Sequence, residues 1–306
     1  MRAIEVPAFG GPEVLRVVER DAPVAGPGDL LVRIEAVGLN WSDLLQRAGL
    51  YPKGPKPPFI AGQEAAAVVV GHGKGVGSPA LGTAVVVLAR TGLAAEVAVV
   101  PAEACIPLDG PAADRAAVPI SLATAYHALV TCAHATAGET VLVHAAGGAL
   151  GTIAVQLARC LGLRVIATCS ATKRGRVMGL GADLACSYDD FSAARDADIV
   201  LDSVGGDIFR RSCDLVRPRG RIVVIGSSSG YPQRIDPQKL VHRSLSVIGF
   251  HLQAFDPREA LTACRPWLAE GRIGPQVDRV LPLSQMRAAH EILASRATFG
   301  KVVLAT

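Results

Sequence analysis

One stretch constrains this chain more than any other: Val141-Leu142-Val143-His144-Ala145-Ala146-Gly147-Gly148-Ala149-Leu150-Gly151. Thr140 to His144 reads as a buried strand, and Ala149 to Leu161 carries apolar residues at helical spacing. Between them lies a tight turn of small residues. A strand that turns directly into a helix leaves the helix's first amides, and the positive end of its dipole, facing the turn. Gly148 stands where a side chain would block a pyrophosphate, and Gly151 lets the helix pack closely on the strand. Glycines at this spacing also serve ordinary helix packing. Here a second strand, Arg164 to Thr168, follows in the right place. The stretch therefore reads as a dinucleotide-binding turn built from Ala146, Gly147, Gly148, Ala149, Leu150 and Gly151.

The end of that second strand indicates which dinucleotide. A site for NAD carries Asp or Glu about 20 residues after the glycines, to hold the ribose hydroxyls. This chain has Ala167-Thr168-Cys169-Ser170-Ala171-Thr172-Lys173-Arg174 instead. A hydroxyl, Ser170, and two cations, Lys173 and Arg174, suit a 2′-phosphate, so NADPH is the expected cofactor. The missing acid also speaks against S-adenosylmethionine. The Tyr-x-x-x-Lys pair of short-chain dehydrogenases is absent, because Pro55, Val130, Ser192 and Ile235 follow the four tyrosines at that spacing.

On either side of this region the pattern differs. Residues 1 to 116 are β-rich: Leu30 to Val37, Ala65 to Val70, Ala84 to Leu88 and Glu96 to Val100 are short runs punctuated by Gly and Pro. After Pro119, strands alternate with helices through Ala197 to Asp202, Arg221 to Ile225 and Leu245 to Ile248, which means a parallel sheet with crossovers. From Pro257 the order is helix, strand (Val277 to Leu281), helix from Ser284, and a last strand, Lys301 to Leu304. With 306 residues, 50% hydrophobic and 19% charged, the chain is long and apolar enough for about two packed domains. A net charge of +4 is too mild to argue for nucleic acid. The seven scattered cysteines form no C-x-x-C pair, so neither a disulfide framework nor a structural zinc lobe is expected. No signal peptide and no membrane-spanning run is read, and the cytoplasm is the expected compartment.

Further motifs follow in order along nearly the whole chain: Val37-Gly38-Leu39-Asn40-Trp41-Ser42-Asp43, Gly49-Leu50-Tyr51-Pro52, Ile60-Ala61-Gly62-Gln63-Glu64-Ala65-Ala66, Leu122-Ala123-Thr124-Ala125-Tyr126, Asp202-Ser203-Val204-Gly205-Gly206 and Gly300-Lys301-Val302-Val303-Leu304. Together with the glycine turn, this set resembles the medium-chain dehydrogenase/reductase superfamily, and within it the quinone oxidoreductase branch. Enoyl reductase domains of polyketide and fatty-acid synthases share many of these motifs. The resemblance implies an α/β protein with a GroES-like β-rich catalytic domain, residues 1–116 completed by 253–306. A Rossmann domain with a doubly wound parallel sheet, residues 117–252, is inserted between the two parts. It places the active site in the cleft between the domains.

The resemblance also bears on the site. Zinc-dependent relatives carry Cys where Asn40 stands and His where Gln63 stands. Glu64 alone cannot hold a catalytic zinc, which needs about three protein ligands, so no metal is expected. Asn40, Tyr51 and Thr124 are the candidate catalytic residues, with Asn40 and Thr124 orienting the nicotinamide and Tyr51 or a water donating to the substrate oxygen. Further cofactor contacts are expected from Tyr188, Gly226, Ser227, Ser228, Phe250, His251, Leu252 and Lys301. Two departures stand out. Leu81-Gly82-Thr83-Ala84-Val85 replaces the usual G-D-R-V, and Leu45 replaces a tyrosine that lines the cleft in many relatives. The expected activity is NADPH-dependent, zinc-free hydride transfer to a small apolar quinone or an activated alkene. The alternative is a nucleotide-binding redox sensor, structural protein or RNA binder with little turnover. A homodimer through the strand near Leu245 to Ile248 is expected, since an apolar edge strand needs cover.

Overall fold

A computed structural model of the chain describes residues 1–231 and 235–306. The chain divides into two compact units, one formed by Met1–Pro119 with Pro275–Thr306 and the other by Ile120–Gly274.

The first unit contains β1 (Arg2–Val6), β2 (Arg16–Glu19), β3 (Asp29–Leu39), α1 (Trp41–Arg47), β4 (Phe59–Ile60), β5 (Glu64–His72), β6 (Ala84–Leu88), β7 (Val97–Pro101), β8 (Cys105–Pro107) and α2 (Ala112–Ala117). A three-stranded sheet runs β2-β1-β4. A seven-stranded sheet runs β15-β16-β3-β5-β6-β8, with β7 also paired to β3, where β15 is Val277–Pro282 and β16 is Lys301–Ala305. The long strand β3 shows how sequence sets burial. Its first half alternates buried and open positions, as a strand with one wet face does, but Ala36 to Leu39 are buried throughout. The reason is α2, whose Ala116 and Ala117 pack on Ala36, Ala66 and Val303 of the sheet. Small side chains on both surfaces allow this approach. At Gly38 a Cβ would come within 2.1 Å of the Ala116 carbonyl oxygen. Arg115 of α2 secures the contact from within the core, donating to the carbonyls of Ala67 and Val85.

The second unit begins with α3 (Pro119–Tyr126), which continues as a π-helical turn over His127–Cys132. Then come β9 (Thr140–Val143), α4 (Ala149–Cys160), β10 (Arg164–Thr168), α5 (Arg174–Gly179), β11 (Leu184–Cys186), β12 (Ile199–Asp202), α6 (Gly206–Leu215), β13 (Arg221–Val224), α7 (Pro237–Arg243), β14 (Ser246–Gly249) and α8 (Pro257–Ala269). Its sheet is parallel throughout, in the order β11-β10-β9-β12-β13-β14. Connections leave β9 for β10 on one side and later return to β12 on the other, so β9 and β12 flank the point where the winding reverses. This is the doubly wound sheet expected from the alternating pattern. The chain returns to the first unit at Pro275 rather than at residue 253. Helix α8 stays with the second unit because its flanks are tied there: Phe255 stacks on Phe250 and His127, and Gly274 exchanges two hydrogen bonds with Gln156 of α4. In the first unit, the return supplies β15, α9 (Met286–Ala294) and β16.

Candidate active site

In a doubly wound sheet, ligands lie beyond the carboxyl ends of the strands, near the winding reversal. Of the residues expected to hold the cofactor, those other than Asn40, Thr124 and Lys301 follow the carboxyl ends of strands in the second unit. After β9 the chain passes through Ala145, which takes a left-handed φ of 53°, and enters α4 at Gly148. The turn is pinned by Ala146 donating to the Thr168 carbonyl and Gly148 to that of Ala145. No side chain caps α4, so its first amides are left to face a ligand. At Gly151 a Cβ would meet the Ala145 carbonyl oxygen at 2.3 Å and the Ala146 Cα at 2.5 Å, which makes this glycine obligatory for helix and turn to touch. At Gly148 a Cβ would sit 3.3 Å from the Ala145 carbonyl oxygen, a tight contact with backbone.

Beyond β10, Ser170 and Arg174 are exposed and Lys173 is half-buried. The stem of Lys173 lies over Gly147, where a Cβ would come within 2.6 Å of its Cδ. Tyr188 follows β11, and sequence reasoning missed what holds it. Arg211 of α6 donates to the carbonyls of Tyr188 and Asp189 while stacking 4.2 Å over the Phe191 ring. Nothing local to residue 188 signals an anchor on another helix. Gly226 to Ser228 follow β13, bound through Gly226 N and Ser228 N to the carbonyls of Asp202 and Ser203. Phe250 to Leu252 follow β14, and His251 is exposed. His144 is a core residue: Ser212 Oγ donates to the Ile208 carbonyl, so it accepts from His144 Nε2–H at 2.8 Å, and Nδ1 accepts from Thr168 Oγ1. Burial drives its pKa down to about 3.

The first unit carries a second polar cluster. In the sheet, Leu39 pairs with Val302 and Gly38 with Glu64, so Asn40, Glu64 and Lys301 meet at the ends of three adjacent strands. Asn40 Nδ2 donates to Glu64 Oε1 at 2.7 Å, and Lys301 Nζ donates to Asn40 Oδ1 at 2.7 Å and to Glu64 Oε1 at 2.5 Å. The backbone N–H of Asn40 donates to Asp43 Oδ2 at 2.8 Å, closing the first turn of α1. Burial raises the Asp43 carboxyl to about 6. Gln63 donates to Ser42 Oγ at 2.7 Å. Lys301, expected as a cofactor contact, is 1% exposed and engaged with Asn40 and Glu64. Its sequence position gave no sign of this, because its partners lie 237 and 261 residues away. Among the described residues, no three of His, Cys, Asp and Glu converge as a metal site requires.

Tyr51 is half-buried on the Gly/Pro loop of the first unit, and its amide donates to the Leu45 carbonyl at the end of α1. Burial, with Asp43 adding to it, raises the pKa of its phenol, which keeps the hydroxyl a donor. Thr124 is 6% exposed on α3 in the second unit.

The chain matches two family descriptions: "Alcohol dehydrogenase GroES-like domain" over residues 26–110, within the first unit, and "Zinc-binding dehydrogenase" over residues 180–304, which spans parts of both units. The chain is 33% identical to bovine prostaglandin reductase-3, covering 94% of this chain and 84% of that protein. It is 31% identical to the human synaptic vesicle membrane protein VAT-1 homolog, covering 99% and 86%. Among solved structures, it superposes on the quinone oxidoreductase of Thermus thermophilus, described free and in complex with NADPH, with a TM-score of 0.89 and 36% identity over the whole of both chains. With a GroES-like unit, an inserted Rossmann sheet and these relatives, the chain belongs to the quinone oxidoreductase branch of the medium-chain dehydrogenase/reductase superfamily.

Proposed function

We propose that the protein is an NADPH-dependent, zinc-free reductase of small quinones or activated alkenes. The observation that carries this reading is the fit of the second unit's sheet edge to a phosphorylated dinucleotide. The uncapped start of α4 offers amides to a pyrophosphate, and Ser170, Lys173 and Arg174 stand where an acid would otherwise select NADH. Bound NADPH supplies the hydride. The chain's own work is to bind, to orient and to offer a hydrogen bond where charge develops on a substrate oxygen. Asn40 and Thr124 are assigned the orientation of the reacting groups, and Tyr51 the hydrogen bond. Ser170, Lys173, Arg174 and Tyr188 are assigned to the adenosine phosphate, and Gly226, Ser227, Ser228 and Phe250 to Leu252 to the rest of the cofactor.

Zinc independence is supported by the first unit's cluster. The two positions that carry metal ligands in zinc enzymes hold amides here, and Glu64 is paired with Lys301. Without a metal to acidify an alcohol, the favourable substrates are those with a carbon that already accepts hydride. We further propose a homodimer. Strand β14 is the edge of its sheet, and its apolar residues Val247 and Ile248 are only partly buried. No helix among the described residues is long and apolar enough to cross a membrane.

The test is NADPH oxidation with a matched set comprising a quinone, an enone, a saturated ketone and its alcohol, before and after exhaustive chelation. Turnover of the quinone or enone that survives chelation is expected, with a lower Kd for NADPH than for NADH. Turnover confined to the ketone and alcohol, or lost with a removed zinc, sinks the reading.

A further inference from the structure

Asn40 holds a primary amide, whose oxygen and nitrogen ends could exchange places by a half-turn. In this fold they cannot. The oxygen meets the ammonium of Lys301 and the nitrogen meets the carboxylate of Glu64, both at 2.7 Å. Turning the amide over would set its N–H against an ammonium and its oxygen against a carboxylate, replacing two charge-assisted hydrogen bonds with two repulsions. Both charged partners are fully buried, at 1% and 0% exposure, so water cannot relieve that conflict. The sheet register delivers the three residues together, and Gly38 keeps the space clear: a Cβ there would come within 2.8 Å of Glu64 Oε1.

We propose that Lys301 is a positioning residue for the reaction, acting with Glu64 as a charged clamp that fixes the direction of the Asn40 amide. With Oδ1 also accepting from the Asp43 N–H in the capping box of α1, one N–H of that amide remains for a ligand, in an invariant orientation. The clamp presents a fixed donor to a ligand oxygen, and the buried ion pair is retained for this directionality; a well-packed apolar pair could stabilise the fold as well. The inference rests on the proposed role of Asn40 in the reaction.

The experiment uses the full chain and a charge-free clamp. Lys301→Met alone would leave Glu64 buried and unpaired, which can prevent folding. The informative variant is Lys301→Met with Glu64→Leu, which replaces the ion pair by an apolar pair of similar size. A second variant, Lys301→Met with Glu64→Gln, keeps one acceptor for Asn40 Nδ2. Two readouts are taken. The first is the side-chain amide signal of Asn40 in nitrogen-15 NMR, identified by its loss in Asn40→Ala. The clamp should give two well-separated protons, which collapse toward an ordinary exposed amide in the Met/Leu variant and recover in part in the Met/Gln variant. The second is steady-state turnover with NADPH and a quinone. The Met/Leu variant should lose about tenfold in kcat, the worth of one charge-assisted hydrogen bond, with the KM for NADPH little changed. Adding the Met/Leu pair to Asn40→Ala should cost nothing further, because the clamp acts only through Asn40. Unmoved Asn40 signals overturn the proposal. So does turnover in the Met/Leu variant equal to that of the unsubstituted chain when Asn40→Ala is impaired. If Asn40→Ala itself turns over normally, the assigned role of Asn40 fails and the proposal fails with it.

Discussion

The two polar clusters present groups to a ligand by opposite physical means. In the first unit, Asn40 is held by side-chain charge: an ammonium and a carboxylate brought together from strands far apart in sequence. In the second unit, the glycine turn is held by backbone: amides donating to carbonyls, with side chains removed so that helix and strand can touch. The first is specified by what is added at three positions, the second by what is left out at three. Each cluster therefore has its own mode of failure. In the second unit added carbon collides with fixed backbone; in the first it does so at Gly38, and a change in charge or carboxylate placement in addition strands a buried ion.

The largest expected effect exploits that contrast. Gly151→Val drives carbon into the Ala145 carbonyl and Ala146 Cα, neither of which can move without opening the turn. The cost should be about 3 kcal/mol of stability, with NADPH affinity falling by about 100-fold or more. Gly38→Ala pushes against the Ala116 carbonyl and the Glu64 carboxyl in the other unit. It should lower stability and kcat while leaving the Kd for NADPH within about threefold. Fluorescence titration with NADPH beside turnover separates the two. Equal losses of NADPH affinity in both variants would show that the clusters are not independent.

A smaller effect compares the acid response of the two units. Each unit buries one histidine with its pKa near 3, His290 in the first and His144 in the second. Their unfolded value is 6.5, so the unfolded chain takes up protons that the folded chain refuses, and stability falls as pH drops from about 6.5 toward 3. Between about pH 7 and pH 4.5 this amounts to about 3 kcal/mol for each histidine. Burial acts on the carboxylates in the opposite sense. Asp43, raised to about 6 from 3.8, holds a proton in the folded state that it loses on unfolding in that window, so the first unit regains stability on acidification. Arg47 bonds to His290 Nδ1 at 3.1 Å and depresses it further. In the second unit burial likewise raises Asp202, less far than Asp43, because the amides of Gly205 and Val204 oppose it. The second unit should therefore lose more stability on acidification. Trp41 lies in the first unit and Trp267 in the second. Urea unfolding followed in Trp41→Phe and Trp267→Phe variants reads each unit separately, and a larger acid loss from the Trp41 signal would contradict this assignment.

The contrast also explains what the sequence made legible. The dinucleotide turn could be read because its determinants are local: strand, glycines and helix fall within a dozen residues, and the β10 edge follows at the expected spacing. The doubly wound order followed from the strand–helix alternation. The Lys301–Glu64–Asn40 cluster could not be read, since it depends on β16 pairing with β3, and β3 with β5, in one particular register. From sequence, Glu64 is a solitary carboxylate and Lys301 a cation open to the cofactor. The end of the inserted unit is hidden for a similar reason. Strand β14 marks the end of the sheet, but the aromatic stack of Phe250, Phe255 and His127, and the Gln156–Gly274 bonds, keep α8 with it. His127 Nε2 bonding to the Asp256 carbonyl at 3.0 Å is a further long-range tie with no local signature.

The smallest expected effect tests what Gly147 is for. Glycine at this place in a turn is ordinarily assigned to pyrophosphate clearance, yet the atoms that a Cβ would meet belong to Lys173, at 2.6 Å from Cδ and 3.4 Å from Cβ. No backbone atom is among the nearest, so Gly147→Ala should displace a flexible stem at a cost below about 1 kcal/mol. The displaced stem carries the ammonium assigned to the 2′-phosphate. Affinity for NADPH should therefore fall about three- to tenfold while that for NADH stays constant, because only NADPH has the phosphate that the cation meets. Lys173→Met should give the same change in the ratio, and the two substitutions together should not add. If Gly147→Ala weakens NADPH and NADH equally, the glycine serves the pyrophosphate that both cofactors share, and the stem of Lys173 merely rests on it.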